Sequence, residues 1–268
     1  MIQVGIIGAS GRMGAQLVEV IAETEQVTLC AALTHQSSAA LGQDIGLYHG
    51  LPEAGVVASD DLATAAKAAD VLIDFSLPAA LADNLAAASQ YGTPIVVCTT
   101  GLDTQQHADL QATARRAPVL YAANTSLGVN LLLDLVRTAS RALGDGCDIE
   151  ILEAHHTAKR DAPSGTALAL GEAAAEGRGQ QLSEVAEYQR NHQSQPYQQG
   201  SIGFATLRAG DIVGEHTVYL VRGGERLELT HRVAQRKTFA EGALNAAQWL
   251  AQKEPGYYSM KHVLGLDD

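Results

Sequence analysis

Between residues 155 and 160 the chain carries two imidazoles, an ammonium and a guanidinium, those of His155, His156, Lys159 and Arg160. A short link between two elements needs turn formers and a cap, not four basic side chains. On a chain of net charge −12, such a cluster reads as a cradle for an anion. Histidine titrates near neutrality, and a lysine among other cations can be brought there, so the same groups could pass a proton. Two adjacent histidines can equally be a surface accident or a hydrogen-bonded core pair. Half a zinc site is a further use, but no third ligand stands at regular spacing, so no metal is expected.

The flanking pattern says what positions the cluster. Residues 147–153 alternate with period two, as a strand does, and residues 166–174 read as a helix. Asp161, Pro163 and Ser164 supply the turn and the cap. The basic residues therefore fall between a strand and a helix. The N–H groups of Ser164, Gly165 and Thr166 at the helix start are expected as further anion donors.

A second candidate lies at the other end of the chain. Residues 2–7 are apolar and β-branched, and run into Gly8-Ala9-Ser10-Gly11-Arg12-Met13-Gly14. A helical stripe of Leu17, Val18, Ile21 and Ala22 follows, then an apolar run at 27–33. Strand, glycine loop, helix and strand form the setting of a dinucleotide fingerprint, although GxxGxxG is looser than GxGxxG. An ordinary glycine turn is the plainer reading. After the second strand, where NAD-selective sites place a carboxylate on the ribose, stand Thr34 and His35. Nothing there repels a 2′-phosphate, and Arg12 or His35 could approach one. NADPH is therefore expected to be accepted at least as well as NADH.

The alternation continues with strands at 71–75, 95–98 and 119–121 and helices at 78–91 and 104–116, which predicts a parallel, doubly wound sheet. Ser76, Thr99, Thr100 and Asn124 fall just past strand ends, where such sheets bind ligands. A helix is expected over 128–143 and a long loop over 176–200. Strands at 202–208, 212–221 and 226–233 then read as an antiparallel meander. Their apolar residues Val218, Leu220, Leu227 and Leu229 exceed what one helix covers, which points to sheet-against-sheet burial in an oligomer. An amphipathic helix at 238–251 should return to the first domain.

Composition bounds the partners. An acidic chain of pI about 5.1 argues against nucleic acid and anionic membranes, which select basic faces. No stretch of 18 apolar residues and no leader pattern precedes the first strand, so a cytoplasmic location is expected. Cys30, Cys98 and Cys147 lie in apolar runs without paired spacing, as reduced thiols do.

The stretch from Glu153 to Ala167, with its His-His-x-x-Lys-x-Asp-Ala-Pro-Ser-Gly-Thr element, resembles the signature of bacterial 4-hydroxy-tetrahydrodipicolinate reductases, also called dihydrodipicolinate reductases. The likeness extends to Gly8–Gly14, Cys98-Thr99-Thr100-Gly101, Ala122-Ala123-Asn124 and the run from Gly203 to Thr217. It spans nearly the whole chain. The resemblance implies a dinucleotide-binding domain of residues 1–126 and 236–268, with a substrate-binding and oligomerisation domain of residues 127–235 inserted. The fold class is accordingly α/β, a Rossmann-like doubly wound parallel sheet plus an inserted α+β domain with a mainly antiparallel sheet, in a homotetramer.

It further implies NADPH or NADH as cofactor and a small dicarboxylate cyclic imine as substrate, in lysine and diaminopimelate biosynthesis. By position, His155 would be the catalytic acid/base and Lys159 the proton donor, while His156, Gly165 and Thr166 would bind substrate. Gly8, Ala9, Ser10, Gly11, Arg12, Met13, Cys98, Thr99, Thr100, Ala122, Ala123, Asn124 and Thr125 would line the cofactor, beside the Thr34 and His35 already reached from the strand pattern. Thr34-His35 departs from the acidic–basic pair familiar in some members, and Thr125 from a common aromatic. The competing readings are another NAD(P)-dependent dehydrogenase of amino-acid precursors, which should lack the double-histidine loop, and an NADPH sensor, which has no use for a proton donor.

Overall fold

The computed structural model describes residues 1–190 and 196–266. In chain order they form β1 (Ile2–Ile7), α1 (Arg12–Glu23), β2 (Val27–Leu33), α2 (Ile45–Tyr48), β3 (Ala58–Ser59), α3 (Leu62–Ala68) and β4 (Val71–Asp74). Then come α4 (Leu81–Tyr91), β5 (Ile95–Val97), α5 (Thr104–Thr113), β6 (Pro118–Tyr121), α6 (Leu127–Leu143), β7 (Asp148–His155) and α7 (Gly165–Gly177). The chain continues through α8 (Leu182–Val185), β8 (Ala186–Glu187), β9 (Ile202–Arg208), β10 (Gly214–Arg222), β11 (Glu225–Val233), α9 (Lys237–Leu250), β12 (Gly256–Tyr258) and α10 (Met260–Leu264). They divide into two compact units, Met1–Leu127 with Lys237–Asp268, and Gly128–Arg236.

The first unit holds one sheet in the order β12-β6-β5-β4-β1-β2-β3, with every ladder parallel. Its central strands are apolar on both sides because helices cover both faces. Leu17 and Ile21 of α1 join Ala243, Leu244 and Ala247 of α9 over one face, against Val4, Ile6 and Ile73. Ala65, Leu85 and Leu110 of α3, α4 and α5 cover the other, against Ile7, Leu72 and Val97. The C-terminal helix thus completes the core begun by the first strands. Register aligns Ile7, Asp74, Val97 and Tyr121 in one row. The segments after β1, β4, β5 and β6 consequently leave along a single edge.

The second unit differs from the expected meander. Its sheet runs β11-β10-β7-β9-β8, so β7 lies between β10 and β9. The ladders of β10 with β11 and with β7 are antiparallel, while β9 pairs in parallel with β7 and β8. A meander needs only local hairpins, whereas this order needs β7 to pair with strands far along the chain, Ile149 with Ile202 and Asp148 with Val221, which hydrophobic alternation cannot reveal. The long loop expected over 176–200 is also more structured: α7 runs to Gly177, and α8 and β8 follow. Residues 191–195 of that stretch lie outside the described residues.

Period two gives this sheet an inner face of Ile149 and Ile151, Ile202 and Phe204, and Val218 and Leu220, packed on Leu132 and Val136 of α6 and Leu170 and Ala174 of α7. Val218 and Leu220 are therefore accounted for inside the unit by two helices, and do not themselves call for a second copy. Leu227 is 45% exposed on the edge strand. The opposite face shows Leu152 and Leu207, at 38% and 48% exposed.

Candidate active site

The apolar inner face of the second sheet turns polar at its end. Strand β7 runs two residues beyond its expected limit and includes His155, so Glu153 and His155 follow Ile149 and Ile151 on one face. Glu153 is opposite Thr206 on β9 and His216 on β10, and His155 is opposite Arg208. A Cβ at Gly214 would lie 3.2 Å from His155 Nε2, so glycine there leaves room for the ring.

Glu153 is 1% exposed, and five donors converge on its carboxylate. Oε1 accepts from Arg208 Nη2 at 2.8 Å, Thr206 Oγ1 at 3.1 Å and the Ser164 N–H at 3.2 Å. Oε2 accepts from Arg208 Nη1 at 2.8 Å and His155 Nδ1 at 2.5 Å. Burial alone would push the carboxyl up, but Arg208 and His155 outweigh it and hold Glu153 below the usual range. An ionised carboxylate only accepts, so Nδ1 of His155 carries a proton and Nε2 is left for other use. Burial lowers the proton affinity of His155, Glu153 opposes that, and Lys159 and Arg208 add to the decrease; the net shift is downward.

Lys159 Nζ pairs with Asp161 Oδ2 at 2.9 Å, and the Asp161 carbonyl accepts from Arg208 Nη2 at 2.6 Å. Ser164 caps α7, its hydroxyl accepting from the Ala167 N–H at 3.2 Å. The cap was expected, but the Ser164 N–H is spent on Glu153 and is not an anion donor. Gly165 and Thr166 open the helix, and the space around Gly165 is open, since a Cβ there would meet nothing within 4 Å. His216 Nε2 lies 3.1 Å from Ser164 Oγ, and its ring sits edge-on to His155 with centroids 5.1 Å apart. Burial and the neighbouring imidazole push His216 down to about 4, which keeps it neutral at pH 7.

The four basic residues do not form one cradle. His155 is turned into the sheet, Arg160 is exposed, and His156 Nε2 lies 3.4 Å from Arg236 Nη2. Glu153, Arg208, His216 and Arg236 are parts the sequence reading did not assign, and Asp161 was read as a turn former alone. Glu153 was legible in principle, two residues before His155 on an alternating strand. Arg208 and His216 join only through strand pairing.

In the first unit, the row ending β1, β4, β5 and β6 brings together Gly8, Thr99, Thr100, Ala122, Ala123 and Asn124. Gly8 has φ of +82°, and a Cβ there would lie 2.8 Å from the Phe75 carbonyl. A Cβ at Gly14 would collide with the carbonyl of Ala9. That carbonyl accepts from His49 Nε2 at 2.8 Å, a support not foreseen. Gly11 caps α1 without a side-chain bond, and the first turn holds no acid. Glycine-lined backbone at a helix start without acidic side chains suits a dinucleotide pyrophosphate.

Other candidates are less exposed than expected. Thr34 is buried, with its hydroxyl 2.7 Å from Ser10 Oγ, whereas Arg12 and His35 are exposed. The Thr125 hydroxyl donates to the Phe239 carbonyl at 2.6 Å, and Cys98 and Thr99 are buried. Met13 packs on the core, so these residues contribute backbone and shape more than side-chain donors. Asp74, fully buried, accepts from the Ser76 N–H at 2.8 Å and Asn84 Nδ2 at 3.0 Å and orders the turn after β4. Among the described residues no group of three or more His, Cys, Asp or Glu is placed to hold a metal ion, and no helix is long and apolar enough to cross a membrane.

Known proteins share this arrangement at the level of sequence. Residues 2–125 match the family model described as dihydrodipicolinate reductase, N-terminus, and residues 128–264 match that of its C-terminus. A 4-hydroxy-tetrahydrodipicolinate reductase of Alkalilimnicola ehrlichii is 50% identical over 264 residues, covering 98% of this chain and 99% of the relative. One of Pseudoalteromonas atlantica is 48% identical over 266 residues, covering 99% and 100%. Among solved structures, a dipicolinate-bound dihydrodipicolinate reductase from Paenisporosarcina has a TM-score of 0.76 at 22% identity, covering 97% of each chain, a likeness of fold. The chain belongs to the dihydrodipicolinate reductase family.

Proposed function

We propose that His155 and Lys159 supply the acid–base groups, and His156, Gly165 and Thr166 the substrate contacts, of a reduction carried out by the second unit on a ligand carrying two carboxylates. The family's reaction converts 4-hydroxy-tetrahydrodipicolinate to tetrahydrodipicolinate with loss of water, in lysine and diaminopimelate biosynthesis, and the chain is an NAD(P)H-dependent oxidoreductase of that kind. The dipicolinate of the Paenisporosarcina relative, a flat ring with two carboxylates, supports a substrate of the same outline here.

Loss of the substrate hydroxyl as water leaves a conjugated cyclic imine. Gly8–Met13 would hold the pyrophosphate of the reduced dinucleotide, which would supply the hydride, and the ring then needs a proton. Lys159 is the donor, and His155 exchanges the proton through Nε2. The start of α7 attracts a carboxylate through its dipole, and the open space at Gly165 lets the ring approach the backbone. The observation that carries this reading is a helix start open at Gly165, fastened by Glu153 to the buried imidazole of His155. On it the first unit, Met1–Leu127 with Lys237–Asp268, is the cofactor domain and Gly128–Arg236 the substrate domain. The line-up of Gly8–Met13, Thr99, Thr100 and Ala122–Thr125 along one sheet edge supports their role in lining the cofactor.

The test is a coupled assay. The condensation product of pyruvate and aspartate semialdehyde is supplied, and oxidation of NADPH and of NADH is followed. Turnover with that product is expected, and its absence with both cofactors would overturn the reading. The location is taken as cytoplasmic, where that substrate is made. A homotetramer is also proposed, with the exposed face of Leu152 and Leu207 covered by another copy. Sedimentation at the mass of a monomer would exclude it.

A further inference from the structure

We propose that Glu153, clamped by Arg208, is the positioning residue of the site: it fixes the proton of His155 on Nδ1, presents Nε2 to the substrate, and holds that imidazole in register with the start of α7. The proposal rests on the reading of His155 as the acid/base.

The geometry is specific. One carboxylate reaches the imidazole through Oε2 and the capping residue of α7, Ser164, through Oε1. Arg208 grips both oxygens, which leaves the carboxylate one orientation. The same guanidinium bonds the carbonyl of Asp161, whose side chain holds Lys159 at 2.9 Å. Proton donor, acid/base and helix start thus hang on one buried ion pair.

A structural role alone does not require this. Glu153 continues the inner-face series Ile149, Ile151, and a buried ion pair is commonly no more stable than apolar residues of similar volume. Arg208 could satisfy a structural carboxylate by its bidentate grip. Here the remaining capacity goes to the Thr206 hydroxyl, the imidazole and the cap, and the bond to the ring is the kind that orienting partners of functional histidines make. His216, neutral beside the ring, adds no opposing charge at pH 7.

The experiment joins kinetics to imidazole NMR on the full chain. In the unaltered enzyme, 15N shifts of neutral His155 should show the proton on Nδ1. Glu153→Gln keeps the shape and removes the charge that favours the imidazolium, so the His155 titration and the limb of the kcat profile it sets should move to lower pH. The turnover number should fall about 10-fold or more. A neutral His155 protonated on Nε2 in the unaltered enzyme overturns the proposal, and this spectrum decides the matter should Glu153→Gln not fold. A folded Glu153→Gln enzyme with an unmoved titration overturns it as well, whatever its activity. His155→Ala run in parallel separates the failures. Retained kcat there removes the acid–base reading and this proposal with it, whereas lost kcat beside an unchanged Glu153→Gln removes the positioning alone.

Discussion

On the proposed assignment, the two units prepare for anions by opposite means. In the first, the candidate site is backbone. Gly8 and Gly14 let the main chain pack against the backbone of Phe75 and Ala9 at a helix start that carries no acid, and Cys98, Thr99 and Thr125 turn their side chains inward. In the second it is charge. A buried carboxylate, one arginine, an ammonium and two imidazoles are tied together across three strands and a turn. The contrast follows from the tasks. Holding a pyrophosphate needs donors at fixed positions, which main-chain N–H groups supply when nothing covers them. Moving a proton needs a group that titrates, and its neighbours must set where it does.

If that division holds, damage to each unit has its own signature. The largest effect is expected for His155→Ala and Lys159→Ala, each lowering kcat about 10²-fold or more, the scale of a lost acid–base group. NADPH affinity, read by fluorescence titration, should stay at the level of the unaltered chain. Near-normal turnover in both variants would remove the assignment, and a parallel loss of cofactor affinity would break the division itself. The mirror experiment is Gly14→Ala, where the new methyl collides with the Ala9 carbonyl. Overpacking of this kind costs about 1–3 kcal/mol. Cofactor affinity should fall about 10-fold, equivalent to 1.4 kcal/mol, while dipicolinate binding is kept. Thr166→Val is gentler. Loss of a hydroxyl donor worth about 1 kcal/mol should raise the substrate KM about fivefold and leave kcat nearly unchanged, and an unmoved KM would place the anion elsewhere.

The same division explains what was legible beforehand. The parallel sheet, the glycine loop and the returning helix α9 were readable because period-two and period-3.6 patterns and glycine spacing are local. The second sheet was misjudged in its order, since β7 pairs with strands far along the chain, Ile149 with Ile202 on β9 and Asp148 with Val221 on β10. That error hid the site's wiring: His155 seemed to lie in a loop, so its shared face with Glu153 went unread. Arg208 looked like the end of one more strand. Side-chain types pointed to a candidate site near residue 155, while the strand pairing that surrounds it exists only in the folded sheet.

The smallest expected effect concerns the cofactor's outer end, where, on the proposed assignment, side chains would take over from backbone. Thr34 cannot contribute its hydroxyl freely, because Ser10 holds it at 2.7 Å. His35 is exposed, and its Nδ1 is engaged by the Ser37 N–H at 3.2 Å and lies 2.8 Å from Ser37 Oγ, so Nε2 is the ring nitrogen left for a ligand. Arg12 is also exposed, at the first position of α1. Neither Thr34 nor His35 is a carboxylate that could chelate the ribose hydroxyls or repel a 2′-phosphate. The kcat/KM for NADPH should therefore equal or exceed that for NADH. His35→Ala should lower the NADPH value about threefold, the worth of one exposed hydrogen bond, and leave the NADH value alone. His35→Glu should go further, because the new charge faces the phosphate while offering the ribose an acceptor. Steady-state kinetics with both cofactors read all three enzymes, and a strong preference of the unaltered chain for NADH would show that recognition at this end is set by the backbone, as in the rest of the unit.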